Sequence, residues 1–555
     1  MNIVIKPLLF VAFLTIVLNG QAQMVEILKL DKSAFMIDSR QKMKINFKGE
    51  FNGKVLWTSS NNNVATVSQD GVVKGKSHGD AVITALYGTQ KAECIASVDY
   101  EGQNPILPPT WGLFIADGEP HVFDGKMYIF GSRDVENGFL PTGERDWCSR
   151  DYHVIYSDDL IHWIDGGIIL SLSDIPDEFL NEGDNRLWAP DIFKSPLEKE
   201  KYYLTFCVNN NNGMFIAESK SPLGPFINVK QITLNNEPVR VIDPGTLVDK
   251  DGKVYMANPD FYISQLDPAD YSKIIPGTYQ NVKEYMPDDN QPFEGPSLRK
   301  RANTYYYIYI QNKGNIKKDG AVPTRMAYMT SKQPLGPYSY KGLIITNYDY
   351  LNAGNIHGSI EEFKGQWYVS YHMPLADNEL TRVACLDKLY FNTDGTIKQV
   401  LPSSSGVKGY FEAGDKIQAS SGILFSGGRG DVRIKTRKEH TENKYVFNYI
   451  DYPYSFYSEA GQWICYRYMK FERKIDNLQI RVSTESQGSE IEIRRGTENG
   501  KLLSTLTLPD TNGKWETVEA PVKIENNGVE EFYIVLKNNN SKHDVKIDWL
   551  IFGNN

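Results

Sequence analysis

The sequence predicts an all-β protein, a five-bladed β-propeller flanked by two β-sandwich domains. Short alternating apolar runs bounded by Gly, Asn and Asp fill the 555 residues, and long helical patterns are almost absent. A hairpin unit also recurs five times between residues 110 and 405. Repeats of three or four short strands at spacings of roughly 50–75 residues are typical of propellers.

The repeat is clearest in residues 240–258, RVIDPGTLVDKDGKVYMAN. Two short strands are joined there by Asp-Lys-Asp-Gly, whose Asp and Gly favour a tight turn. An acid or histidine precedes a tyrosine by eleven or twelve residues in all five copies: Asp117 and Tyr128, Asp191 and Tyr203, Asp243 and Tyr255, Glu294 and Tyr306, and His357 and Tyr368. Because the innermost strands of a propeller line its axis, these five side chains are expected to converge on one funnel.

Carboxylates that converge in one funnel indicate glycoside hydrolysis. One acid must be protonated so that it can give a proton to the leaving oxygen, and the other must be ionised to activate water or to attack. Crowded carboxylates separate their pKa values, because like charges disfavour ionisation. Four aromatic residues close to the axial positions can stack on sugar faces or belong to the core: Trp111, Phe114, Trp188 and Phe293.

The motifs around the axial residues resemble glycoside hydrolase family 43. They are A-D ending at Asp117, W-A-P-D ending at Asp191, I-D-P around Asp243, E-G-P starting at Glu294 and N-x-H-G-S around His357. The resemblance covers about 300 residues. It implies a five-bladed propeller that hydrolyses glycosidic bonds by inversion in a single displacement.

The resemblance also implies roles for individual residues. Asp117 is expected to be the general base, Glu294 the general acid, and Asp243 the residue that holds the acid and raises its pKa. Asp191 is expected to shape the substrate site and to take part in substrate binding, and Arg382 is expected to bind the sugar in the first subsite.

Two positions leave alternatives open. The family usually has Asp-Pro at the base, whereas this chain has Asp-Gly-Glu-Pro, so Glu119 is an alternative to Asp117. We prefer Asp117, because Glu119 lies only nine residues before Tyr128. The resemblance implies a calcium ion on the axis near His357, held through water, while a hydrogen-bonded buried histidine is the alternative.

The regions outside the propeller carry resemblances of their own. Residues 24–100 resemble bacterial immunoglobulin-like group 2 domains, with Trp57 expected in the core, and residues 101–109 read as a Pro-rich linker. Residues 406–555 resemble carbohydrate-binding module family 6, which implies that Tyr466 and Trp515 clamp a sugar. Lys546 and Gly414 depart from that family's pattern, so a purely structural role stays open.

Residues 1–23 resemble a cleavable signal peptide, with Lys6 before a short apolar run. The protein is therefore expected to be secreted or periplasmic, without a membrane span after cleavage. Five scattered cysteines favour free thiols, although a Cys148–Cys207 bridge stays open. The net charge of −9 is spread along the chain, which argues against nucleic acid as a partner.

These observations predict a secreted, inverting exo-glycosidase that acts on side chains of plant polysaccharides. α-L-Arabinofuranosidase is the first expectation, β-xylosidase the second, and endo-arabinanase or exo-galactanase the next. A non-catalytic glycan-binding or adhesion protein is the alternative from another class. The sequence does not determine the oligomeric state.

Overall fold

The computed structural model describes residues 17–18, 21–22, 28–48, 54–134, 147–183, 185–208, 213–287, 291–312, 324–347, 356–374, 382–426, 432–435, 454–457, 459–525, 528–539 and 545–554. These residues form strands, turns and short 3-10 helices, so the all-β prediction is confirmed. The 3-10 helices are Pro109–Trp111, Leu172–Asp174, Asp177–Phe179, Lys283–Tyr285, Gly406–Lys408 and Ala419–Ser421. Within the part of the chain that the structure describes, no helix has the length and apolar character needed to cross a membrane.

The chain divides into two compact units, and the smaller contains Met1–Ser33 and Ile37–Val98. One of its sheets joins Lys42–Lys44, Val72–Gly75 and Ala65–Val67, and another joins Leu56–Ser59, Gly79–Tyr87 and Gln90–Val98. Its shortest strands are Val17–Leu18 and Gln21–Ala22, and the strand Ala34–Ile37 crosses the boundary between the units. Trp57 is buried, which confirms its expected place in the core.

The larger unit contains five consecutive sheets, which we call sheets I to V, and their pairing is antiparallel except between Thr233–Leu234 and Asp270–Ile274 in sheet III. Sheet I is Ile115–Phe123, Lys126–Arg133, Asp151–Ser157 and Trp163–Ser171, and sheet II is Leu187–Lys194, Tyr202–Val208, Met214–Ser219 and Ile227–Gln231. Sheet III is Gly245–Val248, Val254–Asn258 and Tyr262–Asp267, with Asp270–Ile274, Gln280–Asn281, Thr233–Leu234 and Glu237–Pro238 at its outer side. Sheet IV is Gln291–Arg301, Thr304–Asn312, Thr324–Ser331 and Ser339–Thr346, and sheet V is Gly358–Phe363, Gln366–Pro374 and Arg382–Leu389.

The first strands of the five sheets, which we call the inner strands, close a ring. The inner strand of each sheet contacts the inner strand of the next, and that of sheet V contacts that of sheet I. All five therefore surround one axis, and residues at equivalent positions along them can meet.

The C-terminal part of the larger unit consists of two sheets that share one buried apolar cluster. One sheet contains Lys416–Gln418, Val432–Lys435, Tyr454–Tyr457, Ile475–Ser483, Glu516–Ile524 and Val545–Gly553. The other contains Leu424–Phe425, Trp463–Met469, Glu490–Arg495, Lys501–Thr507 and Glu530–Asn538.

Residues 102–108, which the sequence predicts as part of a linker, are buried. Asn104 Nδ2 donates to Asp387 Oδ2 at 3.0 Å and to the Ser403 carbonyl at 3.0 Å, and its Oδ1 accepts from the Leu386 amide at 2.9 Å. Gln103 Oε1 accepts from the Gln418 amide at 2.9 Å. The segment therefore joins sheet V to the C-terminal sheets instead of forming an exposed connection.

All five cysteines are free and buried. The prediction of free thiols is confirmed, and the structure contains no Cys148–Cys207 bridge. Stabilisation of the described chain thus comes from packing and hydrogen bonds and not from disulfides.

Candidate active site

The strand register shows which repeat residues are truly equivalent. The five repeat tyrosines pair across the hairpin with His121, Phe193, Leu247, Arg299 and Glu361, one on each inner strand. Asp117, Asp243 and His357 lie four residues before these partners, and Glu294 lies five before. Asp191 lies only two before, so the constant spacing to tyrosine was misleading at this position.

Asp191 is fully buried and does not reach the funnel with the other acids. Its Oδ1 lies 2.6 Å from His121 Nε2, and its Oδ2 accepts from the Thr246 hydroxyl at 2.8 Å and from the Thr246 amide. Burial alone would raise the pKa of Asp191, but His121 and the Thr246 donors lower it. The expected substrate contact at Asp191 is therefore wrong, because no part of the side chain is accessible.

Asp117 is held by hydrogen bonds to residues of sheets I and V. Arg382 Nη1 donates to its Oδ1 at 2.7 Å, Ser132 Oγ donates to its Oδ2 at 2.8 Å, and its backbone amide donates to His372 Nδ1 at 3.0 Å. Burial acts to raise the pKa of Asp117, but Arg382 and the nearby His357 and His372 hold it well below its usual range. Asp117 is therefore an ionised carboxylate, as a general base must be.

Arg382 is buried between two carboxylates. Its Nε and Nη2 each donate to Asp134 at 2.8 Å, and its backbone amide donates to the same carboxylate at 3.0 Å. Because the side chain is only 3% exposed and its donors are directed at Asp134 and Asp117, it fixes the position of Asp117. The sugar contact expected of Arg382 stays a prediction.

The surroundings of Asp243 raise its pKa, whereas those of Asp117 lower the pKa of Asp117. Burial, with a smaller contribution from the charge of Asp117, raises the pKa of Asp243 to about 6. Its Oδ2 accepts from the Gly295 amide at 3.2 Å. Gly295 has a φ of 61°, and a Cβ there would lie 2.8 Å from His357 Nε2, so only glycine fits at this position.

Glu294 and Phe293 lie at the open side of the cluster. Glu294 is half-buried, and its charge raises the pKa of both His357 and Arg382, which places it in the same electrostatic neighbourhood as Asp117 and Asp243. Phe293 is 48% exposed. An exposed ring beside a cluster of carboxylates is available to stack on a sugar face.

The other candidate aromatics are divided between the site and the core. Trp188 is half-buried, with its Nε1 donating to the Trp147 carbonyl at 2.9 Å and the Arg186 guanidinium 5.1 Å from its ring centre. Trp111 and Phe114 are both buried, so the core role applies to them.

His357 lies inside the cluster, with Nδ1 3.5 Å from Asp117 Oδ1. Burial disfavours its charged form, but Asp117, Asp243 and Glu294 together raise the pKa of His357 to about 9. The three neighbouring carboxylates thus favour the protonated imidazole of His357 over the neutral one.

A different group supplies the donor set that suits a metal ion. Among the described residues, Glu119, His121 and Asp191 place one ligand atom each within 4.8 Å of the others. Glu119 Oε2 also accepts from Arg299 Nη2 at 2.8 Å, so a cation there would compete with a guanidinium. Burial raises the pKa of Glu119 although Arg299 acts to lower it, which leaves Glu119 less suited than Asp117 to be the ionised base.

The two residues expected to clamp a sugar in the C-terminal region, Tyr466 and Trp515, differ in their exposure. Tyr466 is 1% exposed, and its hydroxyl donates to the Ala419 carbonyl at 3.1 Å. Its expected stacking on a sugar is therefore wrong, because the ring belongs to the core. Trp515 is half-buried and keeps part of its surface accessible.

Sequence reasoning missed Ser132, Asp134 and His372. Ser132 Oγ also accepts from the Ala189 amide at 2.8 Å, so it links sheets I and II beside the base. All three lie on or just after second strands, whereas the repeat pattern drew attention to inner strands only. Their polarity within buried strands was the signal that could have identified them.

Comparison with known proteins agrees with this geometry. Residues 122–397 match the family described as glycosyl hydrolases family 43. The chain belongs to this family. Residues 428–554 match carbohydrate binding module (family 6), and residues 39–96 match the bacterial Ig-like domain (group 2).

Several characterised proteins are similar to this family 43 chain. A "Xylosidase/arabinosidase" of Thermoclostridium stercorarium is 31% identical over 55% of this chain and 67% of the relative. An "Arabinoxylan arabinofuranohydrolase" of Paenibacillus polymyxa is 26% identical over 80% of this chain and 73% of the relative. A crystal structure of a family 43 arabinoxylan arabinofuranohydrolase from Bacillus subtilis covers 82% of this chain and 98% of that chain, at 24% identity and a TM-score of 0.45.

Family 43 membership makes the chain a glycoside hydrolase, and the inverting mechanism is consistent with that family. The alternative of a non-catalytic adhesion protein is therefore not retained. The family 6 module further indicates a carbohydrate polymer as the substrate.

Proposed function

We propose that this family 43 enzyme is an exo-acting α-L-arabinofuranosidase of plant polysaccharide side chains. The observation that carries the proposal is the pair of contrasting acids on the axis. Asp117 is kept ionised, whereas the pKa of Asp243 is raised to about 6 beside the half-exposed Glu294. Acid–base hydrolysis requires an ionised base and a protonated acid, and a carboxylate close to Glu294 favours the protonated form of that acid.

The proposed reaction is a single displacement. Asp117 takes a proton from water, whose oxygen forms a bond to the anomeric carbon as the glycosidic bond breaks. Glu294 gives its proton to the departing oxygen, and Asp243 keeps Glu294 protonated by its negative charge. Arg382 and Ser132 hold Asp117 in its ionised form.

The choice of sugar rests on the relatives. The Paenibacillus polymyxa relative, named an arabinoxylan arabinofuranohydrolase, is similar over 80% of this chain, beyond the hydrolase domain alone. β-Xylosidase is the second candidate, because the 31% identical relative is named a xylosidase/arabinosidase. Endo-arabinanase and exo-galactanase rank lower, and the "Extracellular endo-alpha-(1->5)-L-arabinanase 2" of Bacillus subtilis matches only 27% of this chain.

We propose that sheets I to V are the blades of a five-bladed propeller over residues 110–405, since their inner strands close a ring. Residues 24–100 and 406–555 are proposed as flanking β-sandwiches. Residues 1–23 are proposed as a signal peptide that directs export, and only 17–18 and 21–22 of them lie within the described residues.

Substrate contacts are proposed at Phe293 and Trp188 beside the acids, and at Trp515 on the C-terminal module. Phe293 is exposed, and Trp188 and Trp515 are each accessible in part. These rings would stack on sugar faces while the acids perform the chemistry.

Calcium is proposed on the axis, either through water near His357, as the family resemblance implies, or at the Glu119–His121–Asp191 group. Two carboxylates and an imidazole form a suitable donor set, although calcium prefers more oxygens and Arg299 competes for Glu119. If the ion binds at that group, a millimolar calcium titration should raise the melting temperature of the wild type but not of Asp191→Asn. Equal shifts in both proteins would contradict that group and favour the position near His357. No catalytic step depends on the ion.

The substrate is tested by hydrolysis of p-nitrophenyl α-L-arabinofuranoside and β-D-xyloside by wild type and Glu294→Gln. We expect arabinofuranoside hydrolysis that falls by roughly 10²–10⁴-fold in the variant. Faster hydrolysis of the xyloside would favour the second candidate, and unchanged activity of Glu294→Gln would remove Glu294 from the mechanism.

A further inference from the structure

A cavity of about 500 Å³ lies at the far ends of the inner strands, and we call it the axial bowl. The five inner-strand residues that face the repeat tyrosines all line it: His121, Phe193, Leu247, Arg299 and Glu361. Asp117 and His357 each lie four residues before a residue of the lining, and Asp117, Asp243, Glu294 and His357 are themselves not part of that lining. The bowl is therefore separate from the catalytic cluster.

The walls of the bowl are mainly apolar and aromatic. Phe123, Phe193, Leu247, Leu298 and Trp367 all contribute to its lining. Small-molecule sites in proteins usually have volumes of roughly 300–1,000 Å³ and combine apolar walls with a few polar groups. The bowl has both properties.

The polar lining is positively charged although the chain as a whole has a net charge of −9. Lys194, Lys250, Arg299 and Lys300 line the bowl together with only two carboxylates, Asp249 and Glu361. An excess of positive charge within a concave wall attracts anions.

The excess charge is located at two of the lysines. Lys300 is paired with Asp249, and Arg299 is paired with Glu119 at 2.8 Å and Glu361 at 3.4 Å. Lys194 lies 3.4 Å from the largely exposed Asp124, and its Nζ lies 5.3 Å from the centre of the Tyr202 ring, so it has no buried carboxylate partner among these contacts. Lys250 is exposed on the turn between the first two strands of sheet III.

We propose that the axial bowl binds a small organic carboxylate with an apolar ring. The ring would lie against the aromatic and aliphatic walls, and the carboxylate would face Lys194 and Lys250. A phosphate ion lacks the apolar surface that these walls would bury, and a neutral sugar leaves the positive charge uncompensated. An aromatic carboxylate satisfies both features.

Benzoate is the probe, and the neutral benzamide of similar shape is its control. Ligand-observed NMR and calorimetry on the full chain should detect benzoate binding at millimolar concentration and weaker benzamide binding. An excess of L-arabinose should leave benzoate binding unchanged, because that sugar would occupy the catalytic cluster.

Lys250→Glu should weaken benzoate binding by about tenfold, because it reverses a charge close to the carboxylate. Lys341→Glu makes the same change in net charge on the exposed outer strand of sheet IV and should have no effect. Both variants should keep wild-type hydrolysis and melting temperature.

Three results would overturn the proposal. They are equal binding of benzoate and benzamide, equal effects of Lys250→Glu and Lys341→Glu, and displacement of benzoate by L-arabinose. An absence of benzoate binding at millimolar concentration would do the same.

Discussion

Arg382 Nη1 lies 2.7 Å from Asp117 Oδ1, and Asp134 holds the other side of the same guanidinium. This arrangement joins the start of the third strand of sheet V to Asp117, the proposed base, on sheet I. It explains how a carboxylate that is buried remains ionised, since the nearby positive charge outweighs the cost of burial.

Arg382→Gln should raise the pKa of Asp117, because the largest influence that lowers it is lost. The acidic limb of the kcat/KM profile should then move to higher pH, because a base with a higher pKa becomes protonated, and therefore inactive, at a higher pH. At mildly acidic pH we expect a loss of roughly tenfold or more. Arg481→Gln, which breaks an Arg–Asp pair in the C-terminal sheets, is the matched control. A uniform loss at every pH would indicate a structural effect alone.

Asp243→Asn should move the basic limb of the profile to lower pH. Above about pH 6 the Asp243 carboxylate is ionised and its charge favours the protonated form of Glu294. Without that charge Glu294 loses its proton earlier, and kcat should fall by roughly 10²-fold. Asp260→Asn, on the exposed turn of sheet III, should leave the profile unchanged. An unmoved basic limb in Asp243→Asn would contradict this role.

Asn104→Asp should destabilise the larger unit by roughly 3–5 kcal/mol, because it removes two donated hydrogen bonds and places a second carboxylate beside Asp387. Burial already raises the pKa of Asp387 to about 6. A carboxyl with a raised folded-state pKa favours folding when protonated and costs stability as pH rises through that pKa. The destabilisation should therefore shrink below about pH 6.

Urea unfolding at several pH values measures this effect. Asn499→Asp, at an exposed turn, provides the control. A loss below about 1 kcal/mol at neutral pH would show that residues 102–108 do not couple sheet V to the rest of the unit.

Tyr466→Phe should not change retention on insoluble arabinoxylan but should cost about 1 kcal/mol of stability, since one buried hydrogen bond is lost. Trp515→Ala should weaken retention by about 1–2 kcal/mol without a matching loss of stability. Pull-down and melting experiments on the two variants separate these effects. Weaker retention in Tyr466→Phe with unchanged stability would restore Tyr466 to the sugar site.

The sequence predicted the all-β class and the family because short strands, turns and catalytic motifs are local patterns. It also identified Asp117, Asp243, Glu294 and His357, whose positions on or just before the inner strands bring them together. The error at Asp191 has a physical cause. β-Bulges between Ala116 and Glu119 and between Trp188 and Asp191 interrupt the pairing, so equal sequence spacing does not mean equal depth along the axis.

Long-range contacts limited the rest of the prediction. Arg382 and Asp134 are 248 residues apart, and no local pattern links them. Tyr466 matched a motif whose function requires exposure, and only the packed structure shows that its ring is buried. The segment predicted as a linker is also buried by long-range contacts, because Asn104 and Gln103 make hydrogen bonds to partners far along the chain.

The central claim is that Asp117 activates water for direct attack while Glu294 protonates the leaving oxygen. Proton NMR of the first sugar released from p-nitrophenyl α-L-arabinofuranoside tests it most directly. The account predicts that the β-anomer of arabinofuranose appears first, because a single displacement inverts the anomeric carbon. Initial release of the α-anomer would show retention and would contradict Asp117 as the base that activates water.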